Sequence, residues 1–158
     1  MKRIKNFIMA ICLVTVILFS GCASEEITAS ADEFVLAVTL ETQSPIYRLS
    51  CEYYLDGELM GGLSVENADG DPLEGRKTFR FSGENFPEDA DLSGFSANFF
   101  VTTSPGAADL YEIASHDGQL FSQGEIILNP VNGTVYPVRL TETEGCFLTS
   151  LEEDVSEV

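Results

Sequence analysis

The chain has 158 residues, with 26 acidic against eight basic side chains for a net charge of −18, one histidine, four cysteines and no tryptophan. That balance excludes a nucleic-acid-binding surface, which needs clustered Lys and Arg to meet phosphates. It also excludes electrostatic adhesion to anionic lipid. The length suits one domain with one modest core.

The N-terminus has the three-part layout of an export signal. Lys2, Arg3 and Lys5 form a positive start, Phe7 to Phe19 form an uncharged apolar run, and the small residues Ser20 and Gly21 lead into Cys22. The run falls short of the roughly 20 residues a spanning helix needs, and Cys12 within it is a small hydrophobe. Leu18-Phe19-Ser20-Gly21-Cys22 resembles the lipobox of bacterial lipoproteins. The resemblance implies that the Cys22 thiol receives a diacylglyceryl group, that signal peptidase II cuts before it, and that the new N-terminus can be acylated. Residues 1–21 are then a signal peptide, and Cys22 carries palmitate-type chains that anchor the protein outside the cytoplasm. Each buried methylene contributes about 0.8 kcal/mol to that anchoring. The mature chain of 137 residues keeps five cations (Arg48, Arg76, Lys77, Arg80, Arg139) against all 26 acids, a net charge of −21. Such a charge keeps the domain soluble and off the bilayer. Residues 22–31 are small and polar and read as a flexible tether; residues 23–31 reach about 30 Å when extended.

From residue 32 to 151 the pattern is that of short strands between turns. Phe34 to Leu40 is apolar enough for burial on both faces. In the next run Tyr47, Leu49, Cys51 and Tyr53 share one face, opposite Arg48, Ser50 and Glu52. Leu59, Gly61, Leu63 and Val65 form the apolar face of a third. Matching those two faces predicts a three-residue loop, Leu55-Asp56-Gly57, which sets Tyr53 opposite Leu59 and Cys51 opposite Gly61. Phe79 and Phe81 flank Arg80, and Phe95, Ala97, Phe99 and Val101 alternate with Ser96, Asn98 and Thr102. A weaker run surrounds Tyr111 and Ile113; Ile126 with Leu128, then Tyr136, Val138 and Leu140, give two more, and Cys146 to Leu151 can close the set. Pro137 lacks a ladder donor, so its strand is expected at an edge or a bulge. The expectation is an all-β domain, an antiparallel β-sandwich of immunoglobulin-like architecture, with a small β-barrel as the alternative. Residues 152–158 form an acidic tail.

Residues 53–73 (YYLDGELMGGLSVENADGDPL), 86–95 (FPEDADLSGF) and 95–103 (FSANFFVTT) also resemble segments of small lipoproteins of Gram-positive bacteria. That resemblance implies no activity.

Chemistry-bearing residues are sparse. His116 stands in Ser115-His116-Asp117-Gly118; adjacent residues of a strand point to opposite faces, so these three do not make a triad, and Asp-Gly reads as a turn. There is no nucleophile elbow and no phosphate loop. Asn67, Asp69, Asp71 and Glu74 offer oxygens at spacings that suit calcium, but Pro72 occupies the place an EF-hand gives to glycine, and tight turns recruit the same residues. Glu88, Asp89 and Asp91 form a second acidic cluster, and nothing singles out a glycosidase pair among 26 acids. Five Tyr could furnish a sugar platform, though Tyr47 and Tyr53 share the expected core face. Asn132-Gly133-Thr134 reads as a turn. Cys51 and Cys146 are either a disulfide or two buried free thiols, and neither has the companions of a zinc site.

The expected function is non-catalytic binding of an envelope or extracellular protein partner, one that is cationic, by a sandwich anchored through Cys22. No cofactor or metal is assigned, and loops Asp69 to Gly75 and Glu84 to Ser93 are the expected contacts. The alternative is a calcium- or carbohydrate-binding surface module.

Overall fold

A computed structural model describes residues 26–105 and 120–152. Cys22, the run around Tyr111 and Ile113, His116 and the tail beyond Glu152 lie outside the described residues. Two sheets face each other and are not closed into a barrel. In the first the order is β4 (Arg76–Ser82), β1 (Glu33–Glu41), β8 (Val135–Thr143) and β9 (Cys146–Leu151). In the second it is β3 (Glu58–Glu66), β2 (Arg48–Leu55), β5 (Phe95–Thr102) and the short β6 (Leu120–Phe121), with β7 (Ile126–Leu128) also on β5.

Period-two alternation forms the core between the sheets, because successive side chains point to opposite faces. Phe34, Leu36, Val38, Phe79, Phe81, Val138 and Leu140 from the first sheet meet Leu49, Cys51, Tyr53, Phe95, Ala97, Phe99 and Val101 from the second. The densest part is aromatic. Phe34 stacks on Phe81 at 5.0 Å between ring centroids and meets the edge of Phe95 at 5.1 Å, while Tyr53 and Phe95 reach Phe81 at 5.2 and 5.3 Å. Such offset and T-shaped pairs add about 0.5–1.5 kcal/mol each beyond burial. Val35 and Ala37, on the outer face of β1, are buried as well, so this strand is covered on both faces as its composition requires.

Three local expectations are corrected. The β2–β3 turn has two residues, Asp56 (φ 51°) and Gly57 (φ 81°), both left-handed as a type I′ turn demands. Tyr54 therefore pairs with Leu59, and the register then slips at Met60 so that Tyr53 faces Gly61, Cys51 faces Leu63 and Leu49 faces Val65. The inward faces still match, but a bulge achieves this instead of a longer loop. Leu59, expected on the apolar face, is exposed. The sheets are not wholly antiparallel: β8 lies parallel to β1, Val138 beside Val38. That places Pro137 in an interior strand with no register shift. Its carbonyl accepts from Glu152 N at 2.9 Å, so its nitrogen faces the β9 side, one position before the β8–β9 pairing begins at Val138. The missing donor falls at the end of a ladder, where proline is tolerated.

At one side of the sandwich the segment between β6 and β7 bonds to both sheets. Ser122 N donates to Phe99 O at 2.9 Å in the second sheet, and Gln123 N donates to Phe147 O at 2.8 Å in the first. The hydroxyls of Ser122 and Thr149, both buried, satisfy each other at 2.9 Å. Gly124 follows with φ 91°, and a Cβ there would lie 2.2 Å from Thr149 O.

Candidate functional site

Strand directions sort the loops onto two opposite ends of the frame. At the proximal end, so called because both described termini emerge there, lie residues 26–32, the turn Asp56-Gly57, residues 83–94, residues 129–134 and Glu152. At the distal end lie residues 42–47, 67–75, the turn Glu144-Gly145 and the points, Pro105 and Leu120, where the described chain stops and resumes. The two loops expected as contacts are therefore on opposite ends: Asp69 to Gly75 is distal and Glu84 to Ser93 is proximal.

The proximal loops enclose a cleft of about 350 Å³, with Phe34 and Phe81 beneath and Phe86, Leu92, Glu88, Asp89 and Asn132 around it. Its walls are held by short side-chain bonds. Asn85 Oδ1 accepts from Ser82 N at 2.8 Å, and Asp91 accepts from Ser93 N at 3.0 Å. That bond to the Ser93 backbone holds the Asp91 carboxyl below its ordinary range. The acidic cluster is thus divided: Asp91 caps a turn, whereas Glu88 and Asp89 border the cleft.

A second cleft, of about 430 Å³, opens at the distal end between residues 42–46 and 72–75. Leu40, Ile46 and Leu73 line it together with Thr42, Ser44 and Glu74. Leu73 N donates to Ile46 O at 2.6 Å, tying the two loops. Glu142, at the end of β8, clamps the first loop by accepting from Gln43 N at 2.9 Å, Ser44 N at 2.7 Å and Ser44 Oγ at 2.7 Å. The Ser44 hydroxyl and the two backbone donors lower the Glu142 pKa.

Of the four residues with calcium-like spacing, Asn67, Asp69 and Asp71 form a self-bonded turn. Asn67 donates its amide to the carbonyls of Asp71 (3.2 Å) and Pro72 (2.9 Å), and Asp69 accepts from Asp71 N at 3.1 Å. Among the described residues no three acidic, His or Cys side chains gather closely enough to hold a metal ion. No cation lies within salt-bridge distance of Asp69, Asp71, Glu74 or Glu144 among the described residues. By contrast Arg48 pairs with Glu66 at 2.7 Å, Arg80 with Glu33, and Arg139 with Glu41 at 3.4 Å and Glu152 at 3.7 Å. Three of the five cations beyond residue 22 are thus already matched, and the other two, Arg76 and Lys77, stand at the distal start of β4.

Cys51 and Cys146 are both free. Cys51 sits on the inner face of β2, where burial pushes its thiol pKa up. Cys146 is exposed at the distal β8–β9 turn, so the pair is neither bridged nor doubly buried. Tyr53 is buried and Tyr47 half-buried, which removes them from any flat sugar platform. No described helix is long and apolar enough to cross a membrane.

No protein-family model matches the chain, and no curated protein matches it. Among solved structures, the NMR structure of a protein from Eubacterium rectale aligns over 80% of this chain and 94% of that one, at 9% identity and a TM-score of 0.40. A structure described as a trapped toxin aligns over 76% of this chain at 9% identity and a TM-score of 0.31. A disulfide-locked mutant of intermedilysin with human CD59 aligns over 76% at 12% identity and a TM-score of 0.31. The chain spans 23% and 24% of the lengths of these last two.

Proposed function

We propose that this is a lipid-anchored, extracytoplasmic β-sandwich that binds a cationic protein partner in the envelope or outside the cell and performs no catalysis. The anchor is the acylated Cys22 of the lipobox-like Leu18-Phe19-Ser20-Gly21-Cys22, and the membrane contact is made by its acyl chains. The observation that carries the partner reading is the uncompensated charge of the distal loops. Asp69, Asp71, Glu74 and Glu144 project from a rigid frame with no arginine or lysine in ion-pair contact among the described residues, and Arg76 and Lys77, at the distal start of β4, are two cations against these four acids. A patch of one sign steers a complementary surface and raises its on-rate, with strong dependence on ionic strength. Loops on a fixed scaffold are also where binding residues concentrate.

The test is capture of envelope proteins by the mature protein at low and at high salt. Retention of a basic protein at low salt, released by salt and lost in an Asp69→Asn, Asp71→Asn, Glu74→Gln variant, is expected. A protein that retains nothing at low salt and measurably hydrolyses an envelope polymer contradicts the proposal.

A further inference from the structure

We infer that the sandwich stands on its proximal end above the bilayer, so that the distal loops are its partner-facing surface. The inference rests on anchoring at Cys22 and goes beyond it, since a lipid on a freely jointed tether would fix no orientation. Three features of the chain set the posture.

The first is where the tether meets the domain. Arg80, on β4, donates to the carbonyl of Thr28 at 3.2 Å and pairs with Glu33. The Glu33 carboxylate in turn accepts from Ser30 N at 3.0 Å, and Glu33 N donates to Ser30 O at 3.2 Å. Residues 28–33 are therefore folded onto the proximal end, and only six residues of sequence separate Thr28 from Cys22. Six residues reach at most about 20 Å, against about 30 Å for the whole tether read as flexible.

The second is the length of the frame. β1 and β8 each have nine residues, which at about 3.3 Å per residue separate the two ends by roughly 27–30 Å. A connection shorter than the long axis holds the proximal end near the lipid and leaves the distal end out of its reach when the domain is upright.

The third is charge, which selects upright over lying. The posture that competes is the outer face of the first sheet laid on anionic lipid, because Arg76, Arg80 and Arg139 lie on that side. Two of those three are already matched, Arg80 by Glu33 and Arg139 by Glu41 and Glu152. Arg76 donates to the Thr39 hydroxyl at 3.2 Å and is left as the one arginine of that face without a carboxylate partner among the described residues. One arginine adds little attraction near an anionic surface, while residues 22–158, of net charge −21, are repelled as a whole. The outer face of the first sheet therefore gains little by lying on the bilayer.

Native thiols make the test direct. With Cys22 acylated and Cys51 buried, Cys146 is the exposed described cysteine, and it lies at the distal end. The full-length lipoprotein is purified from membranes and reconstituted into vesicles of phosphatidylglycerol and phosphatidylethanolamine that carry an acceptor dye on the lipid headgroup. A donor dye is placed on Cys146 in one sample, and in a second on Glu88→Cys in a Cys146→Ser background. Energy transfer several-fold stronger from position 88 than from position 146 is expected. Equal transfer from vesicle-bound protein of lipidated mass overturns the upright posture alone, and stronger transfer from 146 reverses it. A protein whose intact mass shows no lipid, and which does not bind the vesicles, overturns the anchoring reading and this inference together.

Discussion

Gly124 is where one substitution should discriminate the fold from its alternatives. The segment Ser122–Gly124, between β6 and β7, bonds to both sheets and brings residue 124 against the backbone of β9. Alanine there meets two penalties. Its φ of 91° lies in the region that L side chains rarely adopt, at about 1–2 kcal/mol. Its Cβ would also stand 2.2 Å from Thr149 O, a backbone atom that cannot rotate away. Relief requires moving β9 outward, which strains the bonds from Thr149 N to Gln123 O (2.7 Å) and from Thr149 Oγ1 to Gly124 O (3.0 Å). Each such bond contributes about 1 kcal/mol, so the sum is about 3–4 kcal/mol. Gly70→Ala is the control, because φ there is 77° with nothing within 4 Å of the added carbon. It should show the conformational penalty alone. Urea denaturation reads both, since the midpoint shifts with stability at constant slope. Gly124→Ala should lower the midpoint at least twice as far as Gly70→Ala. Equal shifts would show that residue 124 does not lie against the backbone of β9.

Phe34→Ala removes the ring on which Phe81 and Phe95 pack and should cost about 3–5 kcal/mol in the same assay. A loss below 1 kcal/mol would place Phe34 outside the core. In native protein with Cys22 blocked, a thiol reagent should modify Cys146 quickly and Cys51 only after denaturation; fast reaction of both would turn β2 over. The Glu142 carboxyl has a lowered pKa in the folded state, so its contribution is present above the ordinary glutamate range and is lost as pH falls through the folded value. Glu142→Gln should therefore be less stable than the natural protein at pH 7, with the gap closing as both are taken toward pH 3 in thermal melts. A gap that does not narrow as pH falls would assign the effect to something other than ionisation.

Strands were legible wherever alternation was clean. β2, β4, β5, β8 and β9 each show period two, and the unbroken apolar run of β1 announced burial on both faces. The hairpin register was not legible, because two local rules conflict there. Asp56-Gly57 demands a two-residue turn, while the apolar faces of β2 and β3 demand a shift, and the chain meets both with an irregularity at Met60. No residue type marks a bulge as surely as Asp-Gly marks a turn. The position of Pro137 was misread for a related reason. Its strand pairs in parallel with β1, about a hundred positions away, and a partner so distant leaves no trace in local pattern. The acidic loops were visible as compositions, but their division between two ends follows from strand order, which sets direction only once the sheets are assembled.

The proposed anchor at Cys22 carries the account, and metabolic labelling with a fatty-acid analogue tests it most directly. The natural protein should incorporate label and fractionate with membranes, and Cys22→Ala should lose the label. Equal labelling of the two proteins would contradict lipidation at Cys22.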